Sequence, residues 1–438
     1  MSEFEKCLKN IEELQLFGIK LGLNQIKRFF SLLGNPQQQL KFIHIAGSNG
    51  KGSTAAILNA ALQKVGLKVG FYSSPHLLNI RERFRINNQA ISEQDFISLY
   101  RKIKAVVDEF KQNNSCPTFF EFTTAFAAKY FAEEQVDIVI WETGLGGRLD
   151  ATNVVDSYCS VITNIALEHQ QYLGHSIREI AWEKAGIIKV NQKVFVGELA
   201  PEALDVIEAQ CDTLGSELVN FDSCGVTKKS CKIIKAFDSE SNCQLISLSE
   251  QFPSIKLGLL GKVQLLNAHL AFNILNQLSE DLNFSLQTAI EGFADAKWLG
   301  RLQILPDGNI LDGAHNEAGI VKLIESLSEM FPGEKYNVIF GCFFDKEYLK
   351  SLELLIPLAE KFLLVPVVNN MNREYVEPEK LQYDLQKIGF DSKRIKTFDS
   401  VNDALKFDKK TKKLVVGSLF LQQFVLKFYF KDEEIINY

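Results

Sequence analysis

Residues 42–57 read Phe-Ile-His-Ile-Ala-Gly-Ser-Asn-Gly-Lys-Gly-Ser-Thr-Ala-Ala-Ile. Four residues suited to a strand (Phe42, Ile43, His44, Ile45) lead into a turn with glycines at 47, 50 and 52 and a lysine at 51. The alanine-rich pattern Ala55–Lys64 then predicts a helix. A strand, a small-residue turn and a helix start make an anion site. The first amide N–H groups of a helix have no intrahelical partner, and its dipole favours negative charge there. The glycines allow close backbone approach. Gly47, Ser48, Asn49, Gly50, Lys51, Gly52, Ser53 and Thr54 are therefore the expected nucleotide-phosphate cradle. Lys51 would reach the terminal phosphates and Ser53 would offer an oxygen to Mg2+. The spacing is G-x-x-G-K-G-S rather than the commoner G-x-x-x-x-G-K-[ST]. An ordinary glycine-rich turn is the competing reading, but it gives a lysine among glycines no purpose.

The cradle needs a scaffold, and the flanking patterns describe one. Strands are expected at 68–72, 137–142 (DIVIWE, ending in Glu142), 158–164 and 193–196. Helical patterns lie at 93–112, 120–134 and 176–185, and residues 5–33 read as helices broken near Gly18 and Gly22. This alternation predicts a doubly wound, mainly parallel α/β sheet with functional groups at the strand C-termini. Residues 215–260 change character and read as a small antiparallel excursion, followed by helices near 264–280 and 285–294. A second alternation runs from 309, with strands at 310–312, 336–341, 361–365, 395–398 and 413–417. The expected division is 1–297, a nucleotide-binding domain, and 298–438, a smaller Rossmann-like α/β domain. A chain of 438 residues exceeds what one core usually supports.

Composition excludes several classes. A net charge of −6 argues against a nucleic-acid surface. No apolar run reaches the roughly 18–20 residues of a membrane span, and the charged N-terminus has no signal-peptide core. A cytoplasmic protein is expected. The eight cysteines (7, 116, 159, 211, 224, 231, 243, 342) form no C-x-x-C pair, so reduced, packed thiols are expected rather than a zinc knuckle or dithiol motif.

Further segments stand in order along the chain: SSPHL (73–77) with ERFRIN (82–87), FFEFTTA (119–125), ETGLGGRLDATN (142–153), ITNIALEHQQYLG (162–174) with EKAGIIK (183–189), GRLQIL (300–305) with LDGAHN (311–316), DKE (345–347) and VVGSLFL (415–421). With AGSNGKGS, this set resembles the folylpolyglutamate synthase/dihydrofolate synthase family of the Mur ligase superfamily, over nearly the whole chain. The resemblance implies an ATP-dependent amide ligase that joins L-glutamate to a carboxylate of dihydropteroate or a folate. A carboxylate is a poor electrophile, so the implied route first phosphorylates it to an acyl phosphate, and fixed cations must neutralise the transferring charge.

The resemblance also implies roles residue by residue. Ser53, Ser74 (or Ser73) and Glu142 are implied Mg2+ ligands, and His169 is an implied ligand of a second metal. Lys184 is implied to carry a CO2-derived carbamate, which inverts the charge of a residue otherwise expected in solvent. Lys51, Lys184 and His169 are the implied catalytic set. Asn267, Arg301, Asp312 and His315 are implied nucleotide contacts from beyond the first sheet. Leu21, Gly22, Phe119, Phe120, Glu121, Phe122, Leu149, Asp150 and Ala151 are the implied pterin pocket. For the phenylalanines the plainer alternative is core packing, and for Arg148 and Asp150 it is a turn in which they pair with each other. The chain departs from the family in having Glu168 where Asp often precedes the His, and Val263 where a His is frequent. Alternatives are a ligase acting on a cell-wall UDP-sugar precursor, and a non-catalytic homologue that binds folate or ATP. A monomer is expected.

Overall fold

The structure, a computed structural model, describes residues 1–14, 22–112, 116–220, 231–344, 348–368 and 374–437; the side chains of 111 and 112 are excluded. Leu21, Cys224 and the DKE run lie outside the described residues.

The first half is built on an eight-stranded sheet: β1 (Phe42–Ala46), β2 (Val69–Tyr72), β3 (Phe84–Ile86), β4 (Gln89–Ala90), β5 (Ile138–Glu142), β6 (Cys159–Ile162), β7 (Lys193–Val196) and β8 (Glu217–Val219). The order is β4-β3-β2-β5-β1-β6-β7-β8, parallel except for the edge strands β3 and β4. β1 is central and fully buried, as a Val/Ile-type run covered on both faces must be. Chain order reverses around β1, which opens a crevice at the ends of β2, β5, β1 and β6.

Side-chain alternation divides the core. Ile43, Ile45, Ile138 and Ile140 face the helix Lys51–Lys64, which is itself sandwiched against the helices Lys262–Asp281 and Leu286–Glu291. That helix is buried from Gly52 to Leu62, so its apolar residues run all round rather than along one stripe. Phe42, Val139, Trp141 and Tyr72 face the opposite core, where Phe29, Phe84, Phe96 and Phe126 gather. Their rings pack there in tilted and edge-to-face pairs.

Three antiparallel strands follow: β9 (Lys232–Asp238), β10 (Cys243–Ser247) and β11 (Ile255–Leu257). The final sheet contains β12 (Gln303–Ile304), β13 (Ile310–Leu311), β14 (Tyr336–Phe340), β15 (Ala359–Leu364), β16 (Ile395–Thr397) and β17 (Lys413–Val416), in the order β12-β13-β17-β14-β15-β16. Its two faces carry separate cores.

Three readings need correction. Glu217–Val219, assigned to the antiparallel excursion, is the last strand of the large sheet. The hairpin β3-β4 and the edge strand β12 were not anticipated. Strands of two or three residues carry no period-2 signature and are set by their neighbours. Cysteines 7, 116, 159, 211, 231, 243 and 342 are free thiols. Among the described residues, no helix is long and apolar enough to cross a membrane.

Candidate functional site

The turn after β1 has the shape that its glycines permit. Gly47 and Gly50 have φ of +152° and +82°, and Gly50 is the N-cap of the helix Lys51–Lys64. Space excludes side chains as well as strain. A Cβ would lie 1.9 Å from Thr163 Oγ1 at Gly47, 2.6 Å from Asn267 Oδ1 at Gly50 and 2.6 Å from the Trp298 ring at Gly52. The turn is tied to the loop after β6. Asn49 N donates to Asn164 Oδ1 at 2.7 Å, Ser48 N donates to Asn164 O at 2.9 Å, and Thr163 Oγ1 donates to Asn49 O at 2.6 Å. Lys51 arches back so that Nζ donates to Gly47 O at 2.8 Å. Thr54 Oγ1 lies 3.4 Å from Asn267 Oδ1, and Gln264 holds the Asn267 amide at 2.8 Å. Asn267 thus braces the turn from the helix Lys262–Asp281.

Glu142 ends β5 beside this turn, buried, with a single hydrogen bond from Ser74 N at 3.3 Å. Burial pushes its carboxyl up to about 7; Lys51, the Ser74 amide, Arg301 and Arg83 oppose this. Lys184, near the end of the helix Ile177–Ala185, is also buried, and its Nζ lies 2.7 Å from Glu168 Oε1. Burial and the Lys51 ammonium push Lys184 down to about 8, against the pull of Glu168. Lys51 acts on both groups, so Glu142 and Lys184 belong to one electrostatic site. His169 follows Glu168 in an exposed, left-handed position (φ +44°) that starts the short helix Gln170–Leu173. Among the described residues, no three His, Cys, Asp or Glu side chains converge as a metal cluster. The oxygen donors at the crevice are hydroxyls and the carboxylates of Glu142 and Glu168, the latter already paired with Lys184.

The loop 143–153 is held from within. Asp150 is buried, and its oxygens accept from Gly144 N (3.1 Å), Leu145 N (2.7 Å), Thr152 N (3.0 Å) and Thr152 Oγ1 (2.5 Å). Asp150 does not pair with Arg148. Arg148 instead pairs with Glu183 at 2.8 Å and stacks 4.2 Å over Trp182, because the loop docks on the helix Ile177–Ala185 through Arg148 N to Glu183 O at 2.7 Å. Gly22 N donates to Leu149 O at 3.4 Å, which brings the N-terminal segment against this loop.

The phenylalanines separate. Phe122 is in the core with Tyr100 and Phe126, so it is no pocket wall. Phe119 and Phe120 are half-buried at the start of the helix Phe119–Glu133. A side chain at Gly144 would come within 2.4 Å of the Phe120 ring. Glu121 completes the capping box with Thr118 and accepts from Gln25 Nε2 at 2.6 Å. Ala151 is buried and Leu149 half-buried.

Across the crevice, the Arg301 charge acts on both Glu142 and Asp312. Asp312 is a turn-former whose oxygens accept from Leu302 N (2.7 Å) and Ala314 N (2.8 Å). His315 Nδ1 donates to Gly313 O at 2.9 Å. Asn316 then caps the helix Glu317–Met330.

Arg83, His76 and Glu82 were missed. Glu82 accepts the amides of Leu77 (2.8 Å), Leu78 (2.7 Å) and Asn79 (2.7 Å), and so shapes the loop that carries Ser74. Arg83 is buried, lies 5.2 Å over Phe119, and donates from Nε to His76 Nδ1 at 2.8 Å. Burial and the Arg83 charge push His76 down to about 3. Arg83 Nη1 is buried and has no hydrogen-bond partner among the described residues. The ERFRIN run carries the signal, but nothing in its spacing says which arginine turns inward.

Comparison with known proteins adds an independent observation. The Mur ligase middle domain family matches residues 45–275, and the Mur ligase glutamate ligase domain family matches 300–416. A dihydrofolate synthase/folylpolyglutamate synthase of Bacillus subtilis is 35% identical over 353 residues, which are 78% of this chain and 80% of the relative. The crystal structure of a folylpolyglutamate synthase from Thermotoga maritima superposes with a TM-score of 0.84 at 34% identity, covering 98% of this chain and 97% of the other. A folylpolyglutamate synthase complex with AMPPCP and folate superposes with a TM-score of 0.78 at 29% identity, covering 98% and 100%.

Proposed function

The chain belongs to the Mur ligase family, among the dihydrofolate and folylpolyglutamate synthases, and we propose that the crevice at the end of β1 performs that family's reaction. The protein is an ATP-dependent acid–amino-acid ligase that adds L-glutamate to dihydropteroate or a folyl-polyglutamate through an acyl phosphate. The observation that carries this reading is the convergence of charge from two sheets: Lys51, Glu142 and Lys184 on one side, and Arg301 on the other.

The turn 47–54 receives the phosphates of ATP on free helix amides, with Lys51 leaving Gly47 O for the terminal phosphate. Asn267, Arg301, Asp312 and His315 complete the nucleotide site. The acceptor carboxylate attacks the γ-phosphorus, the bond to the β-bridging oxygen breaks, and ADP leaves. The glutamate amine then attacks the acyl carbon, loses a proton, and inorganic phosphate departs. Arg83, with a buried unpartnered Nη1 beside Glu142 and Phe119, suits a substrate carboxylate. Phe119, Phe120 and the 143–153 loop supply a face and an edge for a planar ring.

Mg2+ fits this donor set. Glu142 is a buried carboxylate with one amide partner at the end of β5; Ser53 lies in the first turn of the helix after β1 and Ser74 follows β2, the strands on either side of β5. Bound there, it would neutralise phosphate charge. His169, with an N-carboxylated Lys184, would serve a second ion. Lys184 suits that modification because its lowered pKa makes the neutral amine accessible near pH 8. The proposed division is 1–297 for the ATP and folate sites and 298–438 for glutamate binding and closure. All groups come from one chain, which suits a monomer, and the free thiols suit the cytoplasm.

The experiment is ADP release with ATP and glutamate, comparing dihydropteroate with tetrahydrofolate. Release that requires glutamate and either acceptor is expected. Absence of release with both acceptors overturns the reading.

A further inference from the structure

A buried polar column beneath the 143–153 loop plays no part in the steps above. His44 lies in the middle of β1, three residues before Gly47, and is fully buried on the face shared with Trp141. Its Nε2 lies 2.9 Å from Thr152 Oγ1. Thr152, also fully buried, donates that hydroxyl to Asp150 Oδ1 at 2.5 Å. A hydroxyl has one proton, and an ionised carboxylate can only accept, so Thr152 Oγ1 must accept from His44. His44 is therefore the Nε2–H tautomer, and its buried Nδ1 has no partner among the described residues. Burial and the nearby Lys189 ammonium keep the ring neutral, which this assignment requires.

The column continues upward. The other Asp150 oxygen accepts the amides of Gly144 and Leu145, and Gly144 lies flat against Phe120. Trp141 Nε1 donates to Thr152 O at 3.0 Å from the next strand, which fixes the same turn at a second point. One hydrogen-bonded line thus runs from the strand that feeds the phosphate turn to the backbone behind Phe120.

We infer that His44 is a positioning residue for the pteroyl acceptor, setting the height and tilt of the 143–153 loop through Thr152 and Asp150. This deepens the proposed function and rests on its assignment of Phe120 and this loop to the acceptor ring. Without the Nε2–H donor, the Thr152 hydroxyl loses the contact that orients it toward Asp150 Oδ1, and Asp150 is held by its backbone amides alone. The loop then samples several heights over Phe120. The phosphate turn, held instead by Thr163, Asn164 and Asn267, keeps its shape.

Initial-rate kinetics on the full-length protein test this, with ATP and dihydropteroate varied in turn. Thr152→Val removes the hydroxyl at constant shape. His44→Leu removes the donor, and His44→Gln returns an N–H near the Nε2 position. Thr152→Val and His44→Leu should each raise the KM for dihydropteroate by about tenfold, the worth of one buried hydrogen bond, with the KM for ATP changed by less than about twofold. The double variant should be no worse than the worse single one, because the two changes break one line. His44→Gln should recover most of the loss. Parallel rises in both KM values, additive effects, or an unchanged dihydropteroate KM would overturn the inference. If His44→Leu shows no cooperative unfolding, Thr152→Val against His44→Gln carries the same test. A wild-type protein that adds no glutamate to dihydropteroate or tetrahydrofolate removes the underlying reading instead.

Discussion

The strand end at Glu142 and the loop around Asp150 hold two buried carboxylates eight residues apart; burial pushes both carboxyls up, but the two are supplied with hydrogen-bond donors very differently. Asp150 collects four donors from its own loop. Glu142 has one long amide bond and otherwise depends on Lys51, Arg301 and Arg83 at a distance. A carboxylate satisfied by amides builds a rigid turn and has little to offer a ligand. One left short of donors costs stability and suits a cation that arrives with the substrate. Lys184 repeats the second pattern with opposite sign, held down to about 8 by burial and Lys51. The molecule keeps its structural charges and its proposed reactive charges on adjacent residues of the same crevice.

The largest break in this comparison should come from Lys51→Ala. Removing the ammonium takes away the proposed fixed cation of phosphoryl transfer, and turnover should fall by about 10³-fold or more. ADP release with all substrates present measures it; near-normal rates would place the reactive cluster elsewhere. Lys184→Ala should also lose most activity, and short carboxylic acids should restore part of it by filling the anionic position. A fully active variant that ignores added acetate or propionate would remove Lys184 from the chemistry.

Glu142→Gln sharpens the contrast because it should separate function from stability. Turnover should fall by roughly 10²-fold as an electrostatic contact is lost. The ligand-free variant should nevertheless melt higher than wild type at pH 8. The sign follows from proton uptake. Glu142 has a folded pKa of about 7 against an ordinary 4.5, so between those values the folded state holds the proton and the unfolded state does not. Stability therefore falls as pH rises through that window, by about 3 kcal/mol. The gain from Gln should appear at pH 8 and vanish near pH 4.5; thermal unfolding without nucleotide or Mg2+ at both pH values reads it. An equal or lower melting point at pH 8 would mean that Glu142 is satisfied as Asp150 is.

Asp150→Asn should show the reverse and the smallest effect on the chemical step. The amide nitrogen cannot accept, so one pair of donors loses its partner, and stability should fall by about 1–3 kcal/mol. The measure is denaturant unfolding alongside kcat. A loss of kcat at full stability would move Asp150 into the reactive group.

The phosphate turn was legible because its glycines are local necessities: φ, space and the following helix all lie within ten residues. The alternation of strands and helices was legible for the same reason, since period and punctuation are short-range signals. Phe122 was not, because three phenylalanines in four residues of a helix start point in different directions and only packing says which one is left at the surface. Arg148 was read beside Asp150, but docking of the loop on the helix Ile177–Ala185 gave it Glu183 instead. Arg83 and Arg85 are alike in sequence, and only the fold turns Arg83 over Phe119 and against His76.

By itself, then, the order of residues determined the strands, the helices, the turn that can cradle phosphate and the ordered motifs that resemble a ligase. The fold decided which charges are left hungry. Asp150 meets its donors within its own loop, but the burial of both carboxylates, and the single amide and distant cations that face Glu142, depend on segments far apart in sequence. Those contacts are properties of packing, which no local pattern of residues encodes.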